Sequence, residues 1–226
     1  MKELPQTSMQ PWSSPVGRVL KRTIDLLGSA VGLLVLVAPF ILIAVLIKRD
    51  SPGPIFFLQE RVGRDGKPFV CWKFRTMVVG AIDQGLGVTV AQNDSRITRI
   101  GHVLRNWGID ELPQLINVLK GEMSLVGPRP TLQYQVDQYD GPQRKRLLAK
   151  PGLTGWALIH GRNTLSWEER IKLDVWYVEN WSLWLDFKIL LKTVWVVLVT
   201  REGLYGESGV NDDFRRDQPK KQSHES

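Results

Sequence analysis

The sequence predicts an α+β fold: a membrane helix that enters and leaves by one leaflet, a small sheet built on a β-hairpin, and several amphipathic helices at the interface. Three observations predict it. An uncharged run of about 22 residues, Leu26 to Ile47, is interrupted by Pro39. Asp65-Gly66 separates two short strand-like segments. Apolar residues then recur at helical spacing, with tryptophans gathered in the last third.

The apolar run could cross a hydrocarbon core of roughly 30 Å as one helix. Its flanks oppose that reading. Lys21-Arg22 precede it and Lys48-Arg49 follow it, so both ends carry the charge of the cytoplasmic side. Pro39 removes a backbone donor near the middle and divides the run into arms of about 12 residues, each roughly 18–20 Å long. Neither arm spans a bilayer. A helix-break-helix satisfies the proline and both charge clusters, although the freed carbonyls at the bend need partners inside the membrane. The residues favour this arrangement over a simple span without excluding the span. Asp25 is expected at the interface beside Arg22.

The hairpin strands are Ile55–Arg61 and Pro68–Arg75. The period of two places Phe69, Cys71, Lys73 and Arg75 on one face and Val70, Trp72 and Phe74 on the other, with the second set expected in the core. Two cations on a strand are by themselves ordinary edge residues. Residues 78–95 read as a loop. Ile97, Ile100, Leu104 and Trp107 predict a helix, as do Leu112, Leu115, Ile116 and Leu119, with Pro113 in the first turn and Gly121 as the stop. Asp110 falls at or beside the N-cap of the latter. Gly127-Pro128-Arg129-Pro130 is a stiff turn, residues 131–149 are helical in pieces, and Thr154–Ile159 reads as a short strand. Ser166 and Glu169 form a capping box for a helix ending near Asn180. A further helix covers about 182–200, and the chain beyond Asn211 is polar.

The 226 residues suffice for one domain with a core. The organisation expected is an extension over 1–16, the membrane helix over 17–50, a catalytic domain over 51–205 and a polar tail over 206–226. A net charge of +7 suits phosphate-rich partners. Cys71 is the only cysteine and the three histidines are scattered, which leaves no disulfide and no cysteine-based zinc site.

An Asp-Glu pair at a helix start is commonly a cap placed against the helix dipole. Around Asp110 and Glu111, however, stand Lys73, Arg75, Arg105, Arg129 and Arg162. Two adjacent carboxylates suit Mg²⁺, which takes one or two carboxylates together with substrate phosphate oxygens. Arginines and a helix N-terminus suit the phosphates themselves. That combination belongs to phosphoryl transfer.

The ordered motifs carry a resemblance. They are Lys21-Arg22-Thr23-Ile24-Asp25 with Pro39, Lys73-Phe74-Arg75-Thr76-Met77, Asp110-Glu111-Leu112-Pro113-Gln114-Leu115, Asn117-Val118-Leu119-Lys120-Gly121, Met123-Ser124-Leu125-Val126-Gly127-Pro128-Arg129-Pro130, Pro151-Gly152-Leu153-Thr154-Gly155 and Gly161-Arg162-Asn163. Over roughly residues 17–200 the chain resembles the bacterial sugar transferases, the monotopic phosphoglycosyl transferases, in their minimal catalytic form. The resemblance implies a re-entrant helix at the cytoplasmic face of the bacterial inner membrane. It implies a UDP-sugar donor, a polyprenyl phosphate acceptor, contact with membrane phospholipid and a Mg²⁺ cofactor. It further implies that Asp110 is the nucleophile forming an aspartyl-phosphosugar with release of UMP. Glu111 would hold Mg²⁺ with Asp110 or orient the acceptor. Lys73, Arg75, Arg105, Arg129 and Arg162 would bind phosphates, and Asp174 matches an acidic family position that a solvent-facing helical aspartate would equally explain.

Gly108-Ile109, Leu158 and His160 depart from the usual family residues, which blurs the sugar. A homodimer is left open, and no nucleic-acid motif accompanies the basic charge. The rival readings are a non-enzymatic basic membrane adaptor and a glycosyltransferase that moves sugar without phosphate.

Overall fold

The structure is a computed structural model describing residues 14–83, 94–161 and 164–197. Helix α1 (Pro15–Asp50) starts on Ser14, whose Oγ accepts from Gly17 N at 3.3 Å, and ends with Lys48 and Arg49 in its last turn. It runs without interruption through Pro39, so the expected division into two helices is not seen. The physical reason is that a proline deletes one bond, whereas an apolar surrounding offers backbone groups no partners outside the helix.

Both ends of α1 rest on the same globular body. Near the start, Lys21 Nζ reaches Asp186 at 2.7 Å and donates to Val126 O at 3.1 Å. Glycines at 28 and 32 let Leu125 and Leu115 approach closely. Near the end, Phe40, Ile43 and Ile47 pack with Phe74 and Leu104, and Asp50 accepts from Ile100 N at 3.0 Å. The opposite face leaves Leu27, Val31, Leu34, Val35, Ile41 and Leu42 uncovered. An apolar face of that size is covered by lipid in a membrane-associated protein. Asp25 is not an interfacial partner of Arg22. It is buried, accepting from Ser124 Oγ and Leu125 N at 3.0 Å each, while Arg22 donates to Val118 O and Leu119 O at the end of a later helix.

Strands β1 (Phe56–Val62) and β2 (Pro68–Phe74) pair antiparallel, from Phe56 with Phe74 to Val62 with Pro68. Asp65 (φ 58) and Gly66 (φ 76) take the left-handed conformations of the predicted turn. The face assignment is half corrected. Phe69 and Cys71 are buried against Val118 and Met123, whereas Val70 is 45% exposed. Phe74 is buried from the other side, beneath α1. The hairpin is thus covered on both faces in different places, because separate helices cover its two ends.

Helix α2 (Arg99–Asn106) is capped by Thr98, and a 3-10 helix (Ile109–Gln114) leads into α3 (Leu115–Lys120), stopped by Gly121 at φ 86. Strand β3 (Ser124–Val126) pairs parallel with β4 (Gly152–Thr154). The strand expected over Thr154–Ile159 therefore lies earlier, and Leu158–His160 is a 3-10 turn. Helix α4 (Gln133–Asp137) and a 3-10 helix (Gln143–Leu148) fill the interval. Helix α5 (Trp167–Glu179) carries the predicted Ser166–Glu169 capping box. Helix α6 (Leu183–Trp195) buries Leu185 and Ile189 but exposes Trp184, Phe187, Leu191 and Trp195. An apolar outer face of this kind suits an interfacial helix. Trp167 and Trp181 are core residues instead. The sequence-predicted tail, the extension before Ser14 and Arg162 lie outside the described residues.

Candidate active site

Gly108 (φ 66) turns the chain out of α2, and no side chain caps the 3-10 helix that follows. A left-handed residue is needed there, which favours glycine. Asp110 and Glu111 therefore stand in the first turn, not on the cap, at the positive end of the helical segment. Pro113 is accommodated because the start of a helix leaves its N–H groups without intrahelical partners.

Glu111 is gripped by two cations from other elements. Lys73, at the end of β2, donates to Oε1 at 2.6 Å. Arg129 forks across the carboxylate, with NH2 to Oε1 at 3.0 Å and NH1 to Oε2 at 3.3 Å. The side chain of Glu111 is largely buried and that of Arg129 is 33% exposed. The neighbouring Glu111 raises Arg129 above its ordinary value against the opposing effect of burial, and Asp110 adds to the pull.

Arg61, Cys71, Lys73, Glu111, Gln114 and Arg129 line a cleft. Arg61 is lowered from its ordinary value by burial and by Arg129. Three cations thus face one carboxylate of the lining, a field that attracts a phosphate dianion. Arg61, Gln114 and Arg170 were missed at the sequence level. Arg61 had a signal: it pairs with Phe69 across the hairpin, as Gln59 pairs with Cys71 and Phe57 with Lys73, so it shares the face of Lys73.

Other expected phosphate ligands are placed elsewhere. Arg75 is buried and donates to Pro52 O at 2.7 Å, Ser51 O at 2.7 Å and Ser51 Oγ at 2.9 Å, holding the exit of α1. It is a structural arginine because the last carbonyls of a helix need donors. Arg105 donates to Thr76 Oγ1 at 2.8 Å and is not among the residues lining the cleft. Asp174 is not solvent-facing. It is 1% exposed and paired with Arg146. A second hollow, also bordered by Arg129, is lined by Gly127, Gly152, Thr154, Leu158, Arg170 and Asp174. Burial and Arg129 lower Arg170 there to about 10.

Among the described residues, no three His, Cys, Asp or Glu side chains gather as a metal set. A carboxylate offers about four lone-pair sites. Glu111 accepts from Lys73 and Arg129, and Asp110 precedes it in the same first turn. This donor set fits Mg²⁺ when water and substrate phosphate fill the remaining positions.

The chain belongs to the bacterial sugar transferase family, whose profile matches residues 16–200. Among its relatives, the uncharacterized sugar transferase EpsL of Bacillus subtilis is 48% identical over 82% of this chain and 90% of its own length. A UDP-galactose-lipid carrier transferase of Erwinia amylovora is 45% identical over 83% of this chain. The undecaprenyl-phosphate galactose phosphotransferase of Salmonella typhimurium is 42% identical over the same share. The chain spans only about two fifths (42%) of the length of these last two.

Proposed function

We propose that this protein transfers a phosphosugar from a UDP-sugar to a polyprenyl phosphate, undecaprenyl phosphate in particular, at the cytoplasmic face of the bacterial inner membrane. The product, a polyprenyl diphosphate sugar, starts the assembly of a cell-surface glycan such as an exopolysaccharide. Asp110 Oδ attacks the β-phosphorus of the donor. The bond from that phosphorus to the bridging oxygen breaks, and UMP leaves with the electron pair. A phosphate oxygen of the acceptor then attacks the same phosphorus, which releases the Asp110 carboxylate. An acyl phosphate is a competent donor for such a second step.

The observation that carries this reading is the division of labour between adjacent carboxylates. Glu111 takes the Lys73–Arg129 clamp, and Asp110 follows Gly108 and Ile109 in the same helical first turn. Lys73, Arg61 and Arg129 supply positive charge where phosphate oxygens develop charge. Asp110 and Glu111 would hold Mg²⁺, which would supply charge neutralisation of the diphosphate. The placement of both α1 ends on one body supports a helix whose two ends lie on the same side of the membrane.

The test incubates the protein in bilayer discs with Mg²⁺, undecaprenyl phosphate and a panel of UDP-sugars, with UMP as readout. Release of UMP supports the proposal, and release of UDP rejects it. Asp110→Asn lowers turnover by about a thousandfold or more while leaving the protein folded. An adaptor without enzymatic activity releases no nucleotide.

A further inference from the structure

The turn that carries Arg129 has an unusual attachment. Prolines at 128 and 130 remove two of its backbone donors, so beyond the bond from Gly127 N to Thr154 O at 2.9 Å its position rests on acceptors. Four consecutive carbonyls are held by three elements, two of them by β1. Pro128 O accepts from Gly152 N at 2.8 Å, Pro130 O from Arg61 NH1 at 3.3 Å, and Thr131 O from Val62 N at 2.9 Å. Arg129 O accepts from Arg146 NH2 at 3.0 Å. The first and third of these partners are strand backbone. The last is a side chain whose placement is itself built.

Arg146 is among the most deeply buried side chains of the molecule. Its guanidinium donates to Asp174 on α5 and to the hydroxyl of Tyr139, and lies over the Tyr139 ring. A buried guanidinium is tolerated only when paired and hydrogen-bonded, which is the service Asp174 and Tyr139 perform. A planar fork can meet three acceptors from fixed directions, whereas an ammonium at the same place cannot.

We propose that Arg146 is a positioning residue. It seats the main chain of Arg129 so that the Arg129 guanidinium reaches Glu111 across the candidate cleft. Asp174 and Tyr139 orient Arg146, so α5 takes part in the site without touching substrate. The inference rests on the proposed phosphosugar transfer for its effect on turnover, but not for its effect on the turn.

The experiment compares wild type, Arg146→Lys, Arg129→Lys and the double variant in bilayer discs. Hydrogen exchange across residues 127–132 reads the seating without reference to activity. Arg146→Lys speeds it about tenfold or more, the equivalent of one charge-assisted hydrogen bond. UMP release reads the consequence. Arg146→Lys lowers kcat about 10- to 100-fold in the wild-type background, the scale of a small misplacement at a reacting centre. It lowers kcat less than about twofold on top of Arg129→Lys, because the fork it seats is already lost. Unchanged exchange in 127–132, or a full additional loss in the double variant, overturns the inference. A wild-type protein that releases no UMP overturns the functional reading instead, while the exchange result still decides the seating.

Discussion

Replacing Glu111 with glutamine removes one charge and little volume, so its effect on stability tests the clamp. Glutamate accepts three hydrogen bonds at 2.6, 3.0 and 3.3 Å from two cations. The amide oxygen keeps one or two of them, and its NH₂ group faces donors. Each bond to a charged group contributes about 1.5–3 kcal/mol. Screening reduces the total, because Arg129 is a third exposed and Lys73 is 17% exposed. A net destabilisation of about 2–3 kcal/mol is expected, which for a domain of this size lowers the unfolding temperature by roughly 4–12 °C. Lys73→Met falls short of additivity with it, since both remove the same contact. Turnover falls about 10- to 100-fold because Arg129 loses its anchor and the proposed Mg²⁺ site loses a charge. The assays are thermal unfolding in bilayer discs and UMP release. An unfolding temperature and a turnover both equal to wild type would refute the claim that this clamp organises the cleft.

Two further outcomes follow from other parts of the molecule. Lys21→Met strands Asp186, whose side chain is 8% exposed, and the loss is about 3–5 kcal/mol. Asp186 still accepts from Tyr177 and Trp181, which points to the lower end, and thermal unfolding with Asp186→Asn as companion measures it. Cys71 is 1% exposed and burial raises its thiol above the ordinary value, so a maleimide labels it only after denaturation. Labelling of the folded protein at the rate of a free thiol would contradict the packing of β2 against α3.

Much of the architecture is legible because it is local. A left-handed pair at Asp65-Gly66, a capping box at Ser166 and Glu169, and a stop at Gly121 each follow from the backbone freedom or hydrogen bonding of a few neighbouring residues. The apolar run declares its lipid environment by composition alone. The ordered motifs, including Asp110-Glu111 and the turn around Arg129, declare the family in the same way. Where a local rule was pressed further it failed. Pro39 does not divide α1, and the alternation of β2 does not predict which face is covered, because covering is done by distant helices.

What the tertiary structure decided is which charge meets which. Lys73 and Arg75 are two residues apart on one strand, yet one grips Glu111 and the other closes the end of α1. Asp174 reads equally as an acidic family position or a surface aspartate, and it is a buried partner of Arg146, 28 residues away. Lys21 reads as a membrane flank and anchors Val126, 105 residues along the chain. Charged side chains carry no label of their partners in a sequence. Their pairing is fixed by the low dielectric of the interior, where a charge persists only opposite the group that folding brings to it.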